Sequence, residues 1–167
     1  MSEKEWLMAE IERFLNSFPA NGFLDGTFSE IGSEVDLGGI VYQVADGVDY
    51  DTLLKELKKE GYIPDTDITY INSDKLDDLL YRYTGYGLYE KKWDLSDFPY
   101  LKSIDTYYME HGDSNRTWVR VKEIKSLGNN IYEVKTGPHE DWGGDRCFKT
   151  IRLRRIEAGD YKFISVQ

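Results

Sequence analysis

Two histidines, one cysteine and 31 carboxylates are the reactive groups of this 167-residue chain. His111 stands in the stretch Asp105–Asn115, Asp-Thr-Tyr-Tyr-Met-Glu-His-Gly-Asp-Ser-Asn. An imidazole beside a carboxylate (Asp113) and an amide (Asn115) can act as a general base, bind a ligand or take a metal. The same residues also spell a turn, because glycine admits unusual dihedrals and Asp and Asn side chains bond their own backbone. His139 opens a second run, His-Glu-Asp-Trp-Gly-Gly-Asp, ending at Asp145. Together with His111 and Asp113 it offers two imidazoles and two carboxylates, a ligand set that zinc accepts. Both histidines fall on predicted loops, however, and no His-x-x-x-His pair lies on a helix. The spacing therefore does not require a metal, and no cofactor is expected.

Cys147 with a histidine partner would make a minimal nucleophilic dyad. A lone cysteine opening a strand between Arg146 and Phe148 is more commonly a small buried hydrophobe. With 31 acids, carboxylate pairs of the glycoside-hydrolase kind arise by abundance and carry no information. The run Gly26–Gly32 lacks the Gly-Lys-Ser/Thr ending of a phosphate loop. Lys149, Arg152, Arg154 and Arg155 form a basic strip that suits a solvated strand edge.

The elements that must hold these groups change character along the chain. Ser2 to Phe18 reads as an amphipathic helix with a Ser2/Glu5 capping box, buried through Leu7, Ile11, Phe14, Leu15 and Phe18. Gly39–Val44 looks like a strand. Asp49 caps a second helix that ends near Gly61, with Leu53, Leu54 and Leu57 facing inward. A short strand is expected at Ile68–Ile71. Ser73 is expected to cap a third helix, Asp74–Thr84, stopped by Gly85. Tyr86–Leu101 is aromatic and irregular. From Thr117 the period becomes two, and Trp118–Glu123, Ile131–Thr136, Cys147–Ile156 and Tyr161–Val166 read as strands. Short connections at Leu127–Asn130 and Ala158–Asp160 imply an antiparallel meander.

The expected fold is α+β: about three short helices packed on a C-terminal four-stranded antiparallel meander. One domain, 1–167, is expected, with a helical acidic part (1–115) and a sheet part (116–167). The net charge of −10 divides into −14 over residues 1–115 and +4 over residues 116–167. That balance argues against direct nucleic-acid binding and against an anionic membrane, and no apolar run is long enough to span a bilayer. One cysteine excludes an internal disulfide. The opening Met-Ser-Glu-Lys-Glu-Trp is not a signal peptide, so the sequence as it stands reads as cytoplasmic; a removed leader would make it extracytoplasmic.

Tyr107-Tyr108-Met109-Glu110-His111-Gly112-Asp113-Ser114-Asn115 resembles a Tyr-Tyr-x-x-His-Gly-Asp-Thr-Asn pattern of uncharacterised lipid-anchored or secreted proteins of Gram-positive bacteria, with Ser114 in place of the usual threonine. Over residues 40–167 the layout is similar to the bacterial cell-wall D,L-endopeptidase inhibitor domain. That resemblance implies short helices on a twisted antiparallel sheet, and an acidic surface that blocks the cleft of a cysteine peptidase.

The leading expectation is a monomeric, non-enzymatic binding or inhibitory module of the cell envelope, with an acidic, tyrosine-rich contact surface for a protein partner that is basic or polar. Asp105, Tyr107, Tyr108, His111, Asp113 and Asn115 are its expected contact residues, the rings supplying area and the carboxylates selectivity. Two alternatives stay open. One is an intracellular acidic decoy of phage or plasmid origin that mimics nucleic acid. The other is a hydrolase using His111 with Asp113 or Cys147.

Overall fold

A computed structural model describes residues 1–42, 44–112, 116–139 and 144–167. Helix α1 (Glu3–Leu15) begins with the expected capping box: Ser2 Oγ accepts from the Glu5 N–H at 3.1 Å, and the Glu5 carboxylate accepts from the Ser2 N–H at 3.3 Å. It stops earlier than expected, because Asn16 is used elsewhere. Its side chain donates to the Val119 carbonyl at 2.8 Å and accepts from the Val119 N–H at 3.0 Å, docking the helix end on the C-terminal sheet.

A tight helical turn (Ala20–Leu24) then meets helix α2 (Leu37–Val41), where a strand was expected. The β-branched Ile40 and Val41 suggested the strand. Asp36 decides otherwise: its carboxylate accepts from the Gly38 and Gly39 N–H groups at 3.0 and 3.4 Å, which starts a helix. Gly22 lets the two segments touch backbone to backbone, since a Cβ there would lie 2.3 Å from the Gly39 carbonyl oxygen.

Residues 45–111 build a mixed four-stranded sheet, of which only the strand at Ile68–Ile71 was expected. Its strands are β1 (Ala45–Asp46), β2 (Asp67–Asn72), β3 (Tyr100–Leu101) and β4 (Thr106–His111), in the order β1-β2-β4-β3. β1 runs parallel to β2, and the other pairs are antiparallel. Helix α3 (Tyr50–Lys59), capped by Asp49 as expected, connects β1 to β2. It buries Leu53 and Leu57 against Ile68, Tyr70 and Leu101 on one face of the sheet. Helix α4 (Ser73–Thr84) contributes Leu76, Leu80 and Tyr83 to the main core on the other side. Asn72, rather than Ser73, caps α4, and Gly85 ends it at φ 83°.

The C-terminal meander is as expected: β5 (Val119–Gly128), β6 (Ile131–Pro138), β7 (Thr150–Glu157) and β8 (Asp160–Val166) pair in sequence order, all antiparallel. Asn129 and Asn130, both at positive φ (54° and 60°), make the two-residue turn whose twist matches the strands it joins. Cys147 lies on a tight turn (Asp145–Cys147) before β7, not within the strand. The main core lies between the meander and the helices. Phe23 stacks on Phe163 at 4.4 Å between ring centroids, and Phe14 packs against Tyr83, Tyr161 and Phe163. Burying each such ring contributes about 1.5–3 kcal/mol.

The fold is therefore α+β, with four α-helices and two four-stranded sheets among the described residues instead of three helices on one sheet. No helix among them is long and apolar enough to cross a membrane.

Candidate functional site

Most of the expected contact residues that the structure describes lie on β4, a strand and not a turn. Side chains of a strand alternate between faces, and this separates the Tyr-Tyr pair. Tyr107, opposite Ile71, packs with Met109 against the main core, its ring 4.9 Å from that of Tyr100. Tyr108, opposite Tyr70, packs on the α3 side, its ring 5.9 Å from Tyr62. Both are half-buried, and burial raises both phenol pKa values. The two rings cannot form one contact surface.

Asp105 precedes the strand at φ 48°, and its carboxylate is already engaged. It accepts from the Ser73 hydroxyl and the Tyr100 phenol, while its backbone carbonyl accepts from the Ser73 N–H at 2.9 Å. These bonds, Ser73 first, hold the Asp105 carboxyl below the usual carboxylate range. In return Tyr100 is pushed up to about 12, first by its bond to Asp105 and then by burial. Asp105 thus ties the β3–β4 connection to the start of α4, a positioning role.

His111 ends β4 directly opposite Asp67, the first residue of β2. Its ring lies 4.5 Å from that of Tyr42, whose hydroxyl donates to the Gly112 carbonyl at 2.8 Å. His111 and Gly112 form one wall of an open groove of about 690 Å³, which Tyr50, Ile63, Asp65 and Asp67 complete. The loop carrying Ile63 and Asp65 is held by Glu110, whose carboxylate accepts from the Asp65 N–H at 2.7 Å. Tyr62 beside it is pushed up to about 12, first by burial and then by its bond to Glu110. Tyr70 is raised by burial and then by the fields of Asp49, Tyr50 and Asp46. The groove itself carries the Asp65 and Asp67 carboxylates and the Tyr50 ring, chemistry suited to a cationic or polar segment.

Asp113 and Asn115 lie outside the described residues, as do Glu140, Asp141 and Trp142 of the second histidine run. His139 Nε2 lies 3.3 Å from the Arg120 guanidinium. Among the described residues no group of three or more His, Cys, Asp or Glu side chains is placed to hold a metal ion. Cys147 is buried, and its thiol donates to the Trp118 carbonyl at 3.1 Å, which gives a substrate no access to the sulfur. Tyr50, Asp65 and Asp67 were missed as site residues. They sit more than 40 positions before His111 in the chain, and no local pattern announces the pairing that joins them.

Against protein-family profiles, curated proteins and solved structures, the chain matches none. The functional reading rests on the residues themselves.

Proposed function

We propose that this protein is a monomeric, non-enzymatic binding module that receives a basic or polar segment of a protein partner in the groove at the end of β4. The observation that carries this reading is the convergence of Asp65, Asp67, Tyr50 and His111 on one open groove. Carboxylates there attract a Lys or Arg side chain, and a tyrosine ring adds a cation–π face with little rotamer entropy to lose. The groove belongs to the part of the chain with net charge −14, so the longer-range field has the same sign and steers the same partners.

A narrower form of the proposal is inhibition of a bacterial cell-envelope peptidase, with the acidic rim blocking its cleft; its support is the resemblance of layout to the endopeptidase inhibitor domain. A nucleic-acid mimic would need an uninterrupted acidic surface, and the gathering of Lys91, Arg154 and Lys162 around one cavity weighs against that alternative.

The test is capture of a partner from envelope and cytoplasmic extracts, followed by calorimetry on the purified pair. The double variant His111→Ala, Asp67→Asn should weaken binding about tenfold or more, the scale of losing well-placed interface contacts. Wild-type affinity should fall steeply between about 50 and 500 mM salt. A partner bound equally well by the variant, with no salt dependence, would overturn the proposal.

A further inference from the structure

A chain this acidic also gathers cations in one place. A cavity of about 610 Å³ opens beside the C-terminal end of α4, and three segments each supply it with a cation: Lys91 from the irregular stretch after α4, Arg154 from β7 and Lys162 from β8. Glu30 is the single carboxylate among the described residues that line it. The walls also include Tyr86, Ile131 and Ile164, so the cavity combines three cations with apolar surface.

Two of the cations are held in place. The Lys162 ammonium donates to the Tyr81 and Arg82 carbonyls, both at 2.9 Å. The Lys91 ammonium sits 4.4 Å from the centre of the Tyr86 ring. Charges fixed before binding lose less freedom when a ligand arrives. Arg154 stands directly across from Lys162 in the β7–β8 register, and like charges opposed across a strand pair repel. The neighbouring arginines are neutralised: Arg152 by Glu133 at 3.3 Å and Arg155 by Glu10 at 3.0 Å. Among the described residues neither Lys91, Arg154 nor Lys162 has a carboxylate partner. Capping the last carbonyls of α4 explains Lys162. It explains neither Arg154 nor Lys91.

We propose that this cavity is a second binding site, specific for a short acidic segment of a partner polypeptide that carries an aliphatic side chain among its carboxylates. The carboxylates meet the three cations and relieve the opposed pair, and the aliphatic group covers the isoleucine and tyrosine walls. A bare inorganic anion would leave those walls exposed to water. A long polyanion such as nucleic acid would run beyond the cavity onto a molecule of net charge −10. The site does not depend on the groove at His111, so the protein would be two-sided: an acidic groove for a basic segment and a basic cavity for an acidic one.

The experiment is fluorescence anisotropy with a fluorescein-labelled Glu-Asp-Leu-Glu-Asp peptide and its amide counterpart, Gln-Asn-Leu-Gln-Asn. The acidic peptide should bind saturably and several-fold more weakly when salt rises from about 50 to 200 mM. The double variant Lys91→Ala, Arg154→Ala should bind it about tenfold less tightly or worse, whereas His111→Ala, Asp67→Asn should bind it as wild type does. Arg154→Ser alone should raise the melting temperature of the unliganded protein by removing the opposed charge, which also shows that the fold survives the change. No saturation up to about 1 mM, the millimolar limit of weak binding, would overturn the proposal. So would equal binding of the amide peptide, or equal displacement by inorganic phosphate or by oligothymidylate, because each of these defines a general anion site.

Discussion

Replacing Glu10 by glutamine would cut the polar link that ties α1 to β7 and β8. Glu10 is 4% exposed. One carboxylate oxygen accepts from Arg155 Nε at 3.0 Å and from the Tyr161 hydroxyl at 2.6 Å, and the other from the Arg155 terminal nitrogen at 3.4 Å. Breaking a fully buried ion pair from one side costs about 3–5 kcal/mol, because the remaining charge stays uncompensated. The Arg155 side chain is 28% exposed, so water partly screens it, and glutamine still offers Tyr161 an acceptor. The expected loss is therefore about 2 kcal/mol at neutral pH, which for a domain of this size lowers the melting temperature by about 4–8 °C.

The pH dependence gives a second reading of the same contact. Burial alone would raise the Glu10 pKa. The bonds from Arg155, Tyr161 and the Gly159 backbone outweigh it and leave the carboxyl below its ordinary value. A depressed folded-state pKa contributes stability above the unfolded value, about 4.3 for glutamate, and loses it as pH falls through the folded value. The gap between wild type and Glu10→Gln should hold from neutral pH down to about 4.3 and narrow below it. Urea denaturation followed by circular dichroism measures both effects. A gap below about 0.5 kcal/mol at pH 7, typical of an ordinary surface change, or one that stays constant into acid, would refute the assignment. Replacing all three partners together, Glu10→Leu with Arg155→Met and Tyr161→Phe, should recover most of the loss, since a buried polar set and a well-packed apolar one are near in stability, and the Tyr161→Phe change leaves no buried hydroxyl without an acceptor.

Two further changes test how the site is positioned. Asp105→Asn keeps a residue that tolerates the φ of 48° but removes the anionic acceptor, so the Tyr100 phenol, now at about 12, should titrate nearer the ordinary value of about 10. Carbon-13 NMR of labelled tyrosine rings reads this directly, and an unmoved Tyr100 would show that Asp105 does not hold it. Gly22→Ala should destabilise the protein by about 2 kcal/mol, the scale of overpacking, because the added methyl would lie 2.3 Å from the Gly39 carbonyl oxygen and backbone cannot yield as a side chain tip does. A urea midpoint within error of wild type would mean that the Ala20–Leu24 turn shifts freely against α2.

Where a signal spans a few residues, the sequence was readable. The Ser2/Glu5 box, the Asp49 cap and the Gly85 stop were each legible because a helix end is satisfied by side chains within four positions of it. The meander was legible for the same reason, its alternation running over six or more residues per strand and Asn129-Asn130 supplying the turn. Of the first sheet only β2 was legible, as the short strand at Ile68–Ile71. β1 and β3 are two residues each, too short to show any period, and β4 ends at His111, where the sequence running on into Gly112 spells a turn locally. Helix α2 was expected as a strand because five residues hold no helical repeat and its Ile40 and Val41 are β-branched; the cap at Asp36 is a local signal that these outweighed, and only the Gly22–Gly39 contact comes from outside it.

Thus the chain by itself determined the α+β class, the C-terminal meander, the acidic N-terminal part and the candidacy of Asp105–His111. Tertiary structure alone decided what those residues do. Strand alternation sends Tyr107 and Tyr108 to opposite faces, and Asp105 closes on Ser73 and Tyr100. The register of β2 against β4 sets Asp67 opposite His111, with Tyr50 and Asp65 on the same groove. Caps and turns are settled by neighbours along the chain, whereas a groove is settled by which distant strands pair, and in what register, once the cores on both faces of the sheet are buried.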